Sequence, residues 1–322
     1  MANTRMQVFV LGSYMNAHFM AVDRLPVEGE SLAARSVRSE HGGKGLNLAV
    51  GLQRLGCSVE LLLAVGNDAS GDALKCWLEN EGIPTSLLLR LGDRSGFGVG
   101  FVGPTGENFL STFGGANSLL EPRHVQAVQP KLARSDWVCA QFEVPDAVIL
   151  QAFQLARAAV VNVKTYLNPS PWRVPDRELL ALTDVLVVNV KEASELFKFS
   201  DGQVTSPGQW QQSLPGLARN ISFNGSLLVV TLGELGCVAV DASGQAWYQP
   251  AWRVDQVDAT GAGDAFGCGL LWGLAQGLPL DQTLSFANAC GALVAAEQGV
   301  LAAQPDAARV EAFLVENRLN KQ

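Results

Sequence analysis

The sequence predicts an α/β fold: a central, mostly parallel sheet packed between helices, with a small separate β-sheet beside it. Three observations predict this. Short, continuously apolar strands alternate with helix-length segments along most of the chain, the pattern of parallel strands buried on both faces. Within the first 120 residues that alternation breaks into short strands joined by turns, which do not fit a βαβ unit. The chain has 322 residues, 48% of them hydrophobic and 17% charged, enough to bury one large core. A single domain over residues 1–322 follows. The extra strands, from about 13–40 and 95–115, form a lid inserted in the α/β body.

Gln7–Leu11 is the first strand, ended by Gly12-Ser13. Tyr14–Met20 is mixed in polarity, and Gly29–Arg38 reads as extended or edge structure. His41-Gly42-Gly43-Lys44-Gly45-Leu46-Asn47 then leads into a helix through Leu55. Its glycines let backbone approach a ligand closely, and Lys44 and Asn47 add polar side chains. By itself this reads rather as a flexible turn with a solvated lysine. Val59–Val65 is a second strand, and Ser70–Gly82 a helix with Leu74, Trp77 and Leu78 on one face. Leu87–Leu91, Phe97–Val102 and Asn108–Phe113 are short strands, the last two joined by a hairpin turn at 102–107. With Gly29–Arg38 they suggest a small antiparallel sheet, which suits a lid, a plain appendage or a dimer interface.

Regular alternation resumes with helix Pro122–Ala133, strand Trp137–Phe142 and then Glu143. Helix Asp146–Ala158, strand Val160–Val163, loop Asn168–Pro171 and helix Asp176–Leu182 follow. Strand Asp184–Val188 runs into Asn189 and helix Glu192–Phe199; strand Leu227–Thr231 and hairpin strands Cys237–Val240 and Gln245–Tyr248 come next. Such units make right-handed crossovers, and ligands gather outside the carboxyl ends of the strands. Gly12, Glu143, Asn168, Asn189, Thr231 and residues 258–264 all follow strands and line one edge.

Val257–Trp272 reads as a short strand, a glycine turn and a long amphipathic helix. Gly261, Ala262 and Gly263 leave N–H groups at the helix N-terminus, where the dipole favours an anion such as phosphate. Asp264 stands beside that cradle. A pure anion site repels a carboxylate, whereas a group-transfer enzyme uses one to take a proton from an attacking hydroxyl. Read alone, Asp264 is equally an acidic residue favoured by the helix dipole. Thr283–Ala303 is apolar, but Asn288, Glu297, Gln298 and its small residues predict a packed buried helix rather than a membrane span. The tail, Asn317–Gln322, is predicted to fray.

Several function classes are excluded or disfavoured. Gly261-x-Gly263-x-x-x-Gly267 is one residue too long for the dinucleotide fingerprint, and Gly43-Lys44-Gly45 lacks the flanks of a P-loop. A net charge of −8 without a long basic run argues against nucleic acid. Histidines 18, 41 and 124 are too dispersed for zinc, and no residues pair as a hydrolase triad. Six scattered cysteines without a CxxC predict free thiols, and Val8–Leu11 is too short for a signal peptide, so the expected compartment is the cytoplasm. Asn189-x-x-Glu192 suits Mg²⁺, held directly or through water, and equally a helix capping box; the two are compatible. Thr231-x-Gly233-x-x-Gly236 suits a nucleotide phosphate or an ordinary strand exit.

His41–Gly56 and Asp258–Gly269 resemble the two signature stretches of the ribokinase, or PfkB-type, carbohydrate kinases. Gly106-Glu107-Asn108, Gly115-Ala116-Asn117, Leu167–Pro171, Asn189–Glu192 and Thr231–Gly236 stand between them in that family's order. The resemblance implies the ribokinase-like three-layer fold with a β-sheet lid, and ATP-dependent phosphorylation of a sugar hydroxyl with Mg²⁺. Asp264 matches the catalytic base, and the Gly261, Ala262 and Gly263 amides match the anion hole. Gly42, Gly43, Lys44, Asn47 and Glu143 match the sugar side. Asn189 and Glu192 match the motif that organises Mg²⁺ and phosphate. Thr231, Gly233 and Gly236 match the nucleotide loop, with Asn288 near the adenine. Asp258, the Thr260 carbonyl and Gly299 match a monovalent-cation site, as for K⁺. A homodimer through the lid is also implied.

One departure bears on the acceptor. Ribokinase carries Asn-x-Asp after the Gly-Ser of its first strand. This chain has Met15 and Ala17 there, with the candidate polar residues Asn16 and His18 offset by one. A site built to bond a hydroxyl discriminates poorly once that partner is gone. A pentose or other small sugar phosphorylated at a primary hydroxyl is the expected acceptor. A sugar derivative, or a nucleoside as in a nucleoside kinase, is the alternative, and Tyr14 and Met15 would favour an apolar or aromatic substituent. A binding protein that kept the fold and lost the chemistry is the third reading.

Overall fold

The computed structural model describes residues 5–104, 108–199, 206–221 and 223–319. Strand β1 (Gln7–Leu11) is followed by β2 (Met15–Ala21), β3 (Ser36–Gly42) and helix α1 (Lys44–Arg54). Then come β4 (Ser58–Val65), α2 (Ala69–Asn80), β5 (Leu88–Arg90), β6 (Phe97–Val102) and β7 (Asn108–Phe113). Next are α3 (Pro122–Ala127), α4 (Gln129–Leu132), β8 (Trp137–Gln141), α5 (Asp146–Arg157), β9 (Lys164–Asn168) and α6 (Arg177–Ala181). After β10 (Val185–Asn189), α7 (Val190–Phe197) and α8 (Pro207–Asn220) come β11 (Leu227–Thr231), β12 (Cys237–Asp241) and β13 (Ala246–Gln249). Helices α9 (Ala262–Ala275), α10 (Leu280–Ala295), α11 (Val300–Ala303) and α12 (Ala307–Leu319) complete the described chain.

Nine strands form one sheet in the order β13-β12-β11-β10-β9-β8-β1-β4-β5. All its neighbours are parallel except β11-β12 and β12-β13. Strand side chains alternate between two cores. Val8, Val10, Leu61, Cys139, Val187 and Val229 point to the layer with α1, α9 and α10. Phe9, Leu11, Leu62, Val138, Val188 and Val230 point to the layer with α5, α7 and α8. Burial of both faces explains why these strands read as continuous apolar runs. Each fully buried Val or Leu contributes about 1.5–3 kcal/mol over exposure.

The second sheet has the order β3-β2-β6-β7. It is the expected lid, but it is mixed rather than antiparallel, because β2 and β6 run parallel. Leu87–Leu91 does not belong to it: β5 pairs in parallel with β4 at the edge of the main sheet. Residues 105–107 of the predicted hairpin turn lie outside the described residues, as do 320–322 of the tail; α12 runs to Leu319, so 317–319 are helical.

Five further points differ from expectation. The strand expected at 160–163 is β9, four residues later; Val160 and Val161 are exposed, so their apolar character does not mark a buried strand. Predicted helix 122–133 is two helices, since Pro130 cannot donate to the ladder that would join them. Helix α8 was not anticipated, although Ser206 and Gln209 form its capping box. No strand precedes Asp258; Val257 and Asp258 instead donate backbone N–H groups to the Ala295 carbonyl. Helix α9 is not amphipathic either: it is buried almost all round along its first ten residues, wedged between α1, α10 and the sheet.

Candidate active site

The first turns of α1 and α9 meet above the carboxyl ends of the central strands. Gly43 precedes α1 with φ +110°, and a Cβ there would stand 2.5 Å from the Ser13 carbonyl oxygen. Only glycine admits that crossing of backbones. It lets the Ser13 hydroxyl bond both sides of the crossing, accepting from the Gly45 N–H at 3.2 Å and donating to Glu143. Glu143 Oε2 also accepts the Lys44 backbone N–H at 2.7 Å. Burial raises the Glu143 carboxyl above its ordinary range, outweighing the nearby Lys44 charge and the Ser13 bond. Gly42, Gly43, Lys44, Asn47 and Glu143 thus gather in one place, around a serine that sequence reasoning treated only as a strand end.

On α9, Gly261 is the N-cap with φ +80° and packs so tightly that a Cβ would meet Val300 Cγ1 at 2.3 Å. Asp264 is the third residue of the helix and is buried. Its Oδ2 accepts from Asn47 Nδ2 at 2.7 Å, and its Oδ1 lies 3.8 Å from Lys44 Nζ. Asn47 Oδ1 is buried without a partner. The Lys44 amine is raised above its ordinary value, chiefly by Asp264, with Glu143 and Glu192 adding to the effect against burial. Of the three N–H groups expected to form an anion hole, one is already engaged. Ala262 N–H closes a turn onto the Ala259 carbonyl at 3.2 Å, so the first-turn donors unused by the helix are those of Gly263 and Asp264. A Cβ on Gly263 would meet nothing within 4 Å, so open space lies in front of it.

A cleft of 810 Å³ runs up to that turn, lined by Thr231, Gly233, Gly236, Ala262, Gly263 and Asn288 among others. The predicted nucleotide-loop residues and Gly263, whose N–H the helix leaves unused, therefore share one cavity. Asn288 does not offer its amide N–H groups to it; they bond the Gln249 and Pro250 carbonyls at 3.1 and 3.0 Å. Asn189 and Glu192 form the capping box at the start of α7. Glu192 N–H donates to Asn189 Oδ1 at 3.0 Å, and Asn189 N–H donates to Glu192 Oε2 at 2.9 Å. Glu192 is buried, and its carboxylate is near enough to Lys44 to help hold that amine protonated. No cluster of three metal-ligating side chains exists among the described residues. One buried carboxylate suits Mg²⁺, which keeps most of its waters and takes phosphate oxygens.

Asn16 and His18 are not brought to this centre. Strand period two puts them on the far face of β2, where Asn16 Nδ2 donates to Ser70 Oγ at 2.9 Å and His18 Nδ1 lies 2.7 Å from Ser39 Oγ. Tyr14 also turns away; its hydroxyl meets His41 Nδ1 at 2.9 Å. The opposite face, on which Arg38 reaches Asp258, carries Met15, Ala17 and Phe19, with Gly98 and Gly100 of β6 in register with the last two. Asp258 and Gly299 do come close, through residues not anticipated. Arg38 of the lid stands 3.6 Å from Asp258 and 3.5 Å from Glu40, and Glu40 accepts from the Val300 N–H. Thr260 N–H caps back onto Asp258 Oδ1 at 2.9 Å. Gln141 was missed too. It is buried at the end of β8 beside Asn168, with neither amide atom partnered. A polar residue closing an apolar strand was its signal.

Known proteins resemble this chain over most of its length. The pfkB family carbohydrate kinase model matches residues 5–307. The chain is 30% identical over 312 residues to a ribokinase of Haemophilus influenzae, covering 96% of this chain and 99% of that one. It is 30% identical over 267 residues to a deoxyribokinase of Salmonella typhi, covering 82% and 84%. The crystal structure of a ribokinase from Thermotoga maritima superposes with a TM-score of 0.82 at 26% identity, over 96% of this chain and 99% of that one. No helix among the described residues is long and apolar enough to cross a membrane. The chain belongs to the PfkB family of carbohydrate kinases, phosphotransferases that act on an alcohol group.

Proposed function

We propose that this chain is an ATP-dependent kinase that transfers the γ-phosphate to a hydroxyl, a primary one, of a pentose or other small sugar. The observation that carries the proposal is the Asn47–Asp264 pair, which sets a buried carboxylate beside first-turn N–H groups at the end of the 810 Å³ cleft. In the proposed reaction the acceptor oxygen attacks phosphorus, its proton passes to Asp264, and the bond to the ADP oxygen breaks. Asn47 fixes the carboxylate, and its unpartnered Oδ1 takes a hydrogen bond from the acceptor. The Gly263 and Asp264 N–H groups and Lys44 face the charge on the transferred group. Mg²⁺, when bound near Glu192, neutralises phosphate charge. The ribokinase and deoxyribokinase names of the relatives support a pentose acceptor.

The roof of the acceptor space qualifies the sugar. In register across the lid stand Glu40, Ala17, Gly98 and Thr112, and beside Ala17 on β2 the next inward residue is Met15. Glu40 is held at the Gly299–Val300 turn, so Met15, Ala17 and Gly98 form the small apolar middle of this roof, which supports an acceptor with fewer hydroxyls on that side than ribose, or with an apolar substituent there. We further propose one catalytic unit with its lid, in the cytoplasm, paired as a homodimer through the lid. Val37, Phe109 and Phe113 are exposed on the lid strands.

A panel of pentoses, deoxypentoses, hexoses and nucleosides, with ATP and Mg²⁺, tests the proposal by ADP release and thermal shift. A ligand at 100 times its dissociation constant stabilises by about 2.7 kcal/mol. A pentose or deoxypentose is expected to give both signals. Turnover of nucleosides alone would move the assignment to a nucleoside kinase, and ADP at background with every acceptor would refute a kinase.

A further inference from the structure

Lid strand β3 carries two charged side chains down to the loop that precedes α9. Arg38 and Glu40 lie on the inward face of the lid, opposite Phe19 and Ala17. The Arg38 guanidinium covers the Phe19 ring, 5.1 Å from its centre. One end of it, Nη2, stands between the Asp258 and Glu40 carboxylates at 3.6 and 3.5 Å. Glu40 rests on the Gly299–Val300 turn: it accepts the Val300 N–H, and a Cβ on Gly299 would approach its Oε2 to 3.3 Å. Val300 in turn packs on Gly261, the N-cap of the catalytic helix.

Asp258, Thr260 and Gly299 are the residues at which the family resemblance implies a monovalent cation. Here they do not fit a free ion well. One Asp258 oxygen caps its own loop at Thr260, and the other, with the Glu40 carboxylate beside Gly299, already faces the Arg38 guanidinium. Guanidinium is charged at every working pH and weakly hydrated, so it keeps its charge in such a place. An incoming K⁺ would share oxygens with a like charge a few ångströms away.

We infer that Arg38 is a built-in cation for the 258–264 loop, replacing a dissolved monovalent ion, so that this chain needs no added K⁺. The inference rests on the proposed role of that loop in phosphoryl transfer, but charge at the loop can be measured without turnover. Because Arg38 belongs to the lid and Asp258 to the loop, the same pair joins the lid to the anion hole.

The test compares wild type and Arg38→Met in KCl and in tetramethylammonium chloride at equal ionic strength. Methionine keeps apolar cover on Phe19 and removes the charge. Melting temperature is read for both proteins, and ADP release with whichever acceptor the panel yields. Wild type is expected to melt at the same temperature and turn over within twofold in both salts. Arg38→Met is expected to lose at least tenfold in tetramethylammonium, to recover in KCl, and to gain a K⁺-dependent melting shift. Activation of wild type tenfold or more by K⁺, or a K⁺-dependent melting shift in wild type, overturns the inference. So does an Arg38→Met protein indifferent to K⁺. Should Arg38→Met not fold in either salt, the wild-type comparison decides. Should no acceptor be phosphorylated, the melting data still decide this point while the kinase proposal fails separately.

Discussion

Asn47 Nδ2 donates to Asp264 Oδ2 at 2.7 Å, tying the first turn of α1 to the first turn of α9 across 217 residues of chain. Both side chains are buried, so the bond is made to a charged acceptor with little water to compete. It leaves Oδ1 of Asp264 to Lys44 and to an incoming hydroxyl.

Asn47→Ala removes the group that orients the carboxylate and, on our reading, one contact to the acceptor. A hydrogen bond to a charged group is worth about 1.5–3 kcal/mol, which corresponds to roughly 10- to 150-fold in kcat/KM. Steady-state kinetics on Asn47→Ala and Asn47→Asp checks this; the aspartate, a like charge beside Asp264, is expected to be the worse of the two.

Glu192 has two jobs that one substitution separates. Glutamine also completes a capping box, so Glu192→Gln is expected to keep the α7 cap and melt close to wild type. It removes the charge proposed to face Mg²⁺, so the Mg²⁺ concentration for half-maximal rate is expected to rise about tenfold, the lower end of effects on metal affinity when a supporting group is lost. A Mg²⁺ titration at fixed ATP measures it, and an unchanged curve would restrict Glu192 to capping.

Glu143 gives the fold a pH dependence of known sign. Its carboxyl is raised by burial, so between the usual carboxylate range, about 4.3, and its own higher value the folded protein holds a proton that the unfolded chain releases. Stability is therefore expected to fall as pH rises through that window. Lys44→Met takes away the charge that opposes the shift, so it is expected to widen the window upward, whereas Glu143→Gln flattens it. Urea denaturation midpoints across the window read all three.

Much of this was legible in the chain because its signals are local. Continuous apolar strands placed the main sheet, and the glycine pattern at 42–45 and 261–263 marked both turns that meet at Asp264. Signals that depend on partners were not legible. Val160 and Val161 read as strand although they are exposed, because composition does not say which side of a chain faces solvent. The interior Pro215 and flanking glycines 208 and 216 hid helix α8. Asn16 and His18 failed as candidates because a shift of one residue in a strand reverses the face. Arg38 and Glu40 looked like ordinary lid charges until register placed them over the 258–264 loop.

Gly261→Ala tests the anion hole without touching a polar group. The new methyl faces both a left-handed backbone, which costs about 1–3 kcal/mol, and Val300. Stability is expected to fall by at least that range in chemical denaturation. Turnover is expected to fall further than the unfolded fraction explains, because the helix N-terminus moves.

The central claim is that Asp264 takes the proton from the acceptor hydroxyl. Single-turnover phosphoryl transfer by Asp264→Asn, measured beside ATP binding, tests it most directly. The account predicts ATP binding close to wild type and a transfer rate lower by at least about 10²-fold, the scale of general-base catalysis. Transfer at a near-wild-type rate in a protein that still binds ATP would contradict it.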